Sequence, residues 1–178
     1  SLINVLLAGN VSSRLFQELR EKRGLCYSVS SNVSQYEDTG VLNFYIGLDA
    51  KNLERALRLL CREFRRLREE AVRPAELKRA KEYAIGSSRM SLERTGSQNS
   101  RIGYSTVFYG EVADAEVVHA RLRAVTPEEI QRVARASLRP SRMTMTVIGA
   151  IPEKTPIARW LESVSYPHLT LPTVYSVW

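Results

Sequence analysis

The sequence predicts an α+β domain in which helices cover one face of an antiparallel sheet, as a two-layer sandwich. Two neighbouring segments alternate apolar and polar residues and are joined by turn residues. Several longer segments repeat apolar residues at helical spacing. A tight turn between the first two strands excludes an all-parallel, doubly wound sheet. Because candidate helices far outnumber strands, we expect the sandwich to be incomplete at its N-terminus.

The first predicted elements are two helices that precede the sheet. Residues 2–8 are mostly apolar and are followed by Gly9, which ends a first helix. Residues 13–22 form a second helix, for which Ser12 is a candidate N-cap and which ends at Gly24. Its shared apolar face consists of Leu15, Phe16 and Leu19.

The predicted hairpin follows directly. Residues 27–34 and 42–48 alternate in polarity, and residues 37–40, with the sequence EDTG, have turn chemistry. A third strand is predicted over residues 142–148, where methionine and valine alternate with threonine and isoleucine. We expect this strand to return to the same sheet.

Five helices are predicted between the hairpin and the third strand. They cover residues 50–67, 74–94, 96–110, 114–122 and 127–138. The last of these has the strongest local signal, because Thr126, Pro127 and Glu129 combine an N-cap, a first-turn proline and a reciprocal glutamate.

Composition places the chain among soluble globular proteins, with 44% hydrophobic and 25% charged residues. No segment approaches the roughly 18 apolar residues of a membrane helix, and no signal peptide is evident, so the compartment stays open. The net charge of +7 raises the question of nucleic acid. On the helix over residues 50–67 the basic residues alternate with glutamates, as on a solvated face, which argues against nucleic-acid binding.

The C-terminal end differs from the rest. Residues 164–173, VSYPHLTLPT, look like a translated sequencing adapter. We therefore expect one domain over residues 1–152, an extension over 153–163 and a non-native tail over 164–178, with a genuine extended tail as the alternative.

Metal-ligating and nucleophilic patterns are weak throughout. His119 has no second ligand nearby, and His168 lies in the suspect tail, so we expect no metal ligand on this chain. Cys26 and Cys61 are expected to be buried free thiols, and no serine has the context of a nucleophile. We therefore expect no catalytic residue on this chain alone.

One pair of polar side chains has functional potential. Arg20 and Tyr27 are seven positions apart on either side of a helix end that can direct both toward one cleft. A guanidinium is a fixed cationic hydrogen-bond donor, and a phenol is a neutral one. The alternative reading is a surface charge at a helix C-terminus and a half-buried strand aromatic.

The segment 12–27, SSRLFQELREKRGLCY, resembles the substrate-binding segment in the C-terminal, metal-free half of pitrilysin-type (insulinase-type) zinc peptidases. The similarity extends over roughly residues 2–152. It implies that Arg20 and Tyr27 bind the carbonyl oxygen near the scissile bond, with further loop contacts from Gly9, Ser12 and Ser13. The loop reads Gly9-Asn10-Val11, where the family is often richer in glycine.

The resemblance further implies the substrate-binding half of a zinc-dependent endopeptidase that acts on short, unfolded peptides. Zinc would be bound by a homologous partner half, in the same longer chain or in a separate subunit, and this chain by itself would not hydrolyse peptides. The alternative is a non-catalytic scaffold similar to the peptidase-related core subunits of respiratory complexes.

Overall fold

The computed structural model describes residues 1–36, 38–152 and 154–162. Within these ranges the α+β architecture is confirmed: one antiparallel hairpin is combined with seven α-helices. The strands are β1, Ser28–Gln35, and β2, Gly40–Gly47. The helices are α1 Leu2–Leu7, α2 Leu53–Glu69, α3 Pro74–Leu92, α4 Thr95–Tyr109, α5 Ala115–Ala124, α6 Pro127–Ser137 and α7 Ile157–Glu162.

The hairpin is antiparallel and has the predicted alternation of polarity. The pairing runs from Ser28 opposite Gly47 to Gln35 opposite Gly40. At the tip, the Tyr36 N–H donates to the Thr39 carbonyl at 2.9 Å, which closes the turn. Of the predicted turn residues, Glu37 lies outside the described part of the chain.

Helix α2 is the centre of the core, because its apolar stripe is buried on one side while its charges, apart from the buried Glu63, are at least partly exposed. Phe64 of this helix contacts Phe44 of β2, with ring centroids 4.9 Å apart, and so joins helix to sheet. Helices α6 and α7 also pack on α2, and α3 packs on α1. The largest fully buried apolar side chains are Leu7, Leu15, Leu19, Leu67, Val72 and Ile157.

The predicted helix over residues 13–22 is present in a different form. Arg14 and Leu15 are α-helical, and the following segment is a π-helix, Phe16–Glu21. The Lys22 N–H accordingly bonds the carbonyl five residues back, that of Gln17, at 3.0 Å. Gly24 then adopts a positive φ of 55°, as a helix-ending glycine does.

The prediction of a third strand is wrong. Residues 143–148 have no regular secondary structure and belong to no ladder, and the sheet of the described residues has two strands. The polarity alternation is real, since Met143, Met145 and Val147 are half-buried against the core. An extended segment becomes a strand only when a neighbouring strand pairs with its backbone, and the described part of the chain provides none for this segment.

The capping signal predicted for α6 is confirmed. Thr126 and Glu129 form the reciprocal capping box of α6, with Pro127 in the first turn. Asp114 caps α5 through the Glu116 N–H at 2.9 Å. None of the helices in the described ranges is both long and apolar enough to cross a bilayer.

Candidate functional site

The π-helix presents the first predicted site residue, Arg20, near its C-terminal end. The Arg20 side chain is 47% exposed, and its guanidinium lies over the Phe16 ring at 4.9 Å from the centroid. The nearest carboxylate is that of Glu21, at 3.9 Å and half-exposed. Arg20 is therefore a cation supported from one side by an aromatic ring and open to solvent on the other.

Tyr27 directly precedes β1, and its N–H donates to the Gly47 carbonyl at 3.0 Å. The residue is 68% exposed. Throughout the described ranges, no hydrogen bond engages its hydroxyl group. Tyr27 is therefore held through its backbone, and its hydroxyl group is free to donate a hydrogen bond.

Cys26, which directly precedes Tyr27 in the sequence, is a buried thiol. Burial raises the pKa of Cys26, and the positive charge of Arg20 partly opposes that shift. The Arg20 guanidinium is thus within electrostatic range of the residue that precedes Tyr27. Both side chains are exposed to solvent, Arg20 at the end of the π-helix and Tyr27 directly before β1.

Ion pairs attach the π-helix segment to the helices around it. The Arg14 guanidinium forms two hydrogen bonds with the Glu76 carboxylate of α3, Nε to Oε1 at 2.6 Å and Nη2 to Oε2 at 2.9 Å. Glu18 pairs with Lys22 at 2.7 Å, with Arg62 of α2 at 3.1 Å and with Arg23.

The Glu18 cluster also affects protonation. The hydrogen bond from Lys22, followed by that from Arg23, lowers the pKa of the Glu18 carboxyl against the effect of burial. Glu18 therefore remains an anion at neutral pH, and its pairing links the π-helix to α2. The segment that carries Arg20 is held on two sides.

The three predicted loop residues lie before this segment. Asn10 organises the loop: its Oδ1 accepts the Ser12 N–H at 2.7 Å, and its carbonyl accepts the Ser13 hydroxyl at 2.6 Å. Asn10 fills the ordering role that the sequence assigned to Ser12. Ser13 is buried, whereas Ser12 is exposed. Gly9 is packed against α1, where an added Cβ would be 2.9 Å from the Val5 Cα.

The residues that the structure describes do not fit a zinc site. His119 is buried between α3 and α5, with Nδ1 3.2 Å from a Glu116 carboxylate oxygen and Nε2 3.0 Å from the Ser88 hydroxyl. Cys61 is a free thiol whose pKa is raised by burial to about 11, so it stays protonated at neutral pH. Within the described ranges, no three His, Cys, Asp or Glu side chains are grouped to hold a metal ion.

Two residues that support the site were not predicted as site residues. Phe16 was assigned only to the apolar face, although its position four residues before Arg20 permits an i, i+4 contact. Gly47 was treated as an ordinary strand residue, although a glycine inside a strand often marks a close approach.

Comparisons with known proteins agree with this architecture. The family described as the peptidase M16 inactive domain matches residues 1–83. An uncharacterized zinc protease of Streptomyces coelicolor is 38% identical over 153 residues, which cover 86% of this chain and 33% of that protein. A similar protein of Bacillus subtilis, also an uncharacterized zinc protease, is 37% identical over 134 residues, or 75% and 33% of the two chains.

One solved structure has the same fold and carries the same family description, peptidase M16 inactive domain. The peptidase M16 inactive domain from Pseudomonas fluorescens superimposes with a TM-score of 0.66 at 25% identity, covering 76% of this chain and 32% of that one. The chain thus spans about a third of the length of the curated relatives it matches.

Proposed function

Because the chain belongs to the peptidase M16 family through its inactive domain, we propose that it is the substrate-binding, non-zinc half of a zinc-dependent endopeptidase. Its substrates would be peptides or unfolded segments. The observation that carries the proposal is the exposed pair of Arg20 and Tyr27 at the junction of the π-helix and β1.

The chemistry of the pair suits a peptide carbonyl. A guanidinium supplies a fixed positive charge, and a phenol supplies a neutral donor whose hydrogen bond strengthens as the oxygen becomes anionic. In this proposal Arg20 orients the carbonyl oxygen near the scissile bond, and Tyr27 donates to the same oxygen as charge develops on it. Neither residue supplies a nucleophile or a base.

Hydrolysis then requires a second, homologous half. Zinc bound to that half would provide the activated water, and this chain would provide the opposing wall that holds the peptide. The relatives are about three times as long as the matched region, which is consistent with a partner half in the same longer chain. A separate subunit would meet the same chemical need.

The proposal is tested in the assembled enzyme with Arg20→Ala and Tyr27→Phe. Each variant removes one donor, and loss of one such donor typically lowers turnover by ~10²–10³-fold. Peptide turnover is measured together with zinc content, which should remain at the wild-type level because neither residue is a ligand.

Matched controls are Arg55→Ala and Tyr45→Phe, which alter an exposed arginine of α2 and an exposed tyrosine of β2. Turnover in both controls should match the wild type. If Arg20→Ala and Tyr27→Phe are also indistinguishable from the wild type, the substrate-binding role is wrong and a non-catalytic scaffold is favoured.

A further inference from the structure

Gly47, the last residue of β2, makes an unusually close approach to Tyr27. A Cβ atom built at Gly47 would lie 2.6 Å from Cε2 and 3.2 Å from Cζ of the Tyr27 ring. It would also lie 2.5 Å from the Ser28 hydroxyl oxygen. The Tyr27 ring therefore occupies the space that any side chain at position 47 would fill.

Backbone conformation does not explain the glycine. Positive φ values occur at Gly24, Gly110 and Gly149 among the described residues, and Gly47 is not one of them. Glycine within a strand weakens it, because it has greater freedom in the unfolded chain and no side chain to pack. Glycine at this position leaves the space that the Tyr27 ring occupies.

The Tyr27 backbone cannot withdraw to make room for a larger residue. Its N–H bonds the Gly47 carbonyl at 3.0 Å, and the preceding residues Leu25 and Cys26 are buried. The Leu25 carbonyl is also held by the Asn52 side-chain amide at 3.2 Å. A side chain at position 47 must therefore displace the ring, which is largely exposed and free to rotate away.

We propose that Gly47 is a positioning residue for Tyr27: the absence of a side chain at position 47 sets where the phenol hydroxyl points. The catalytic consequence rests on the proposed function of Tyr27, whereas the positioning itself does not. Because the ring can swing into solvent, a substitution at Gly47 moves the hydroxyl while leaving the core intact. Misplacement of a reacting group by about 1 Å can cost ~10²-fold in rate.

The test uses Gly47→Ala in the assembled enzyme. The protein is labelled with 3-fluorotyrosine, and the Tyr27 signal in the fluorine NMR spectrum is identified by its loss in Tyr27→Phe, since the chain has eight tyrosines. Gly47→Ala should shift the Tyr27 signal. Gly96→Ala is the matched control, because an added Cβ there meets nothing within 4 Å, and it should leave the spectrum unchanged.

Kinetics form the second arm. Gly47→Ala should lower kcat by about 10-fold to 10²-fold with KM nearly unchanged, because the phenol hydrogen bond matters most in the transition state. In the Tyr27→Phe background the same substitution should have no further effect. A companion variant, Gly47→Ala with Ser28→Ala, removes the clash with the Ser28 hydroxyl and should retain the kcat defect.

The NMR and kinetic measurements distinguish the positioning of Tyr27 by Gly47 from the catalytic consequence of that positioning. An unshifted Tyr27 signal in Gly47→Ala and in the companion variant overturns the positioning role, whatever the activity. A shifted signal with equal loss of kcat in both Tyr27 backgrounds overturns the catalytic consequence. A shifted signal with normal turnover in Tyr27→Phe supports positioning while refuting the proposed function of Tyr27.

Discussion

The ion pair between Arg14 and Glu76 holds the segment that carries Arg20 against α3, and Glu76→Gln tests this attachment. The two side chains are 12% and 22% exposed and share two hydrogen bonds of 2.6 and 2.9 Å. The third guanidinium nitrogen of Arg14, Nη1, is buried without a hydrogen-bond partner in the described structure. The Glu76 carboxylate is thus the main group that offsets the cost of burying the Arg14 cation.

The stability that Glu76→Gln should lose follows from this burial. Removing one partner of a fully buried pair costs ~3–5 kcal/mol, and a hydrogen bond to a charged group contributes ~1.5–3 kcal/mol. The amide introduced by Glu76→Gln would keep one acceptor oxygen but lose the charge and turn an N–H donor toward Arg14. Because both side chains retain some contact with water, we expect a loss of about 2 kcal/mol, or ~4–8 °C in Tm.

The assay is thermal and urea unfolding followed by circular dichroism. The matched control is Glu54→Gln, whose pair with Arg58 is 45% and 44% exposed, and which should change stability by no more than ~0.5 kcal/mol. Replacing both Arg14 and Glu76 with methionine should give a protein more stable than Glu76→Gln, because no charge is then left buried. Equal Tm values for Glu76→Gln and Glu54→Gln would refute the reasoning.

Two further predictions concern α6 and the core thiol. Thr126→Ala removes one half of the α6 capping box and should lower the free energy of unfolding by about 1 kcal/mol. Thr126→Ser, which keeps the hydroxyl, should cost less. Equal stability of the alanine variant and the wild type would contradict the role of the cap. Burial raises the Cys61 pKa to about 11, so between its ordinary value near 9 and 11 the folded thiol keeps a proton that the unfolded thiol loses. Stability should therefore fall with rising pH in that window by up to ~1.4 kcal/mol per pH unit from this group. The difference in urea unfolding between wild type and Cys61→Ala isolates this contribution, and parallel pH profiles would exclude it.

The predictions that succeeded depend on local chemistry. The helical apolar stripe of α2 and the capping box of α6 are each encoded within a few residues, and each was confirmed. The β1–β2 hairpin belongs to the same class, because a short turn joins two adjacent strands of alternating polarity.

The prediction that failed depends on a distant partner. Residues 143–148 have the alternation of a strand, and their apolar side chains do face the core, but pairing requires a neighbouring strand. Polarity patterns report burial on one side and say nothing about what lies beside the backbone. The same limit applies to His119, whose burial and pairing with Ser88 depend on how α5 packs against α3.

For the candidate site, the sequence by itself determined the chemistry of Arg20 and Tyr27 and their spacing around a helix end. Only the tertiary structure decided how they are held: Phe16 under the guanidinium, Glu18 tied to α2, and Gly47 beside the phenol ring. The physical reason is that spacing is a property of the covalent chain. A ring filling the place of a missing Cβ arises only when two strands are brought together.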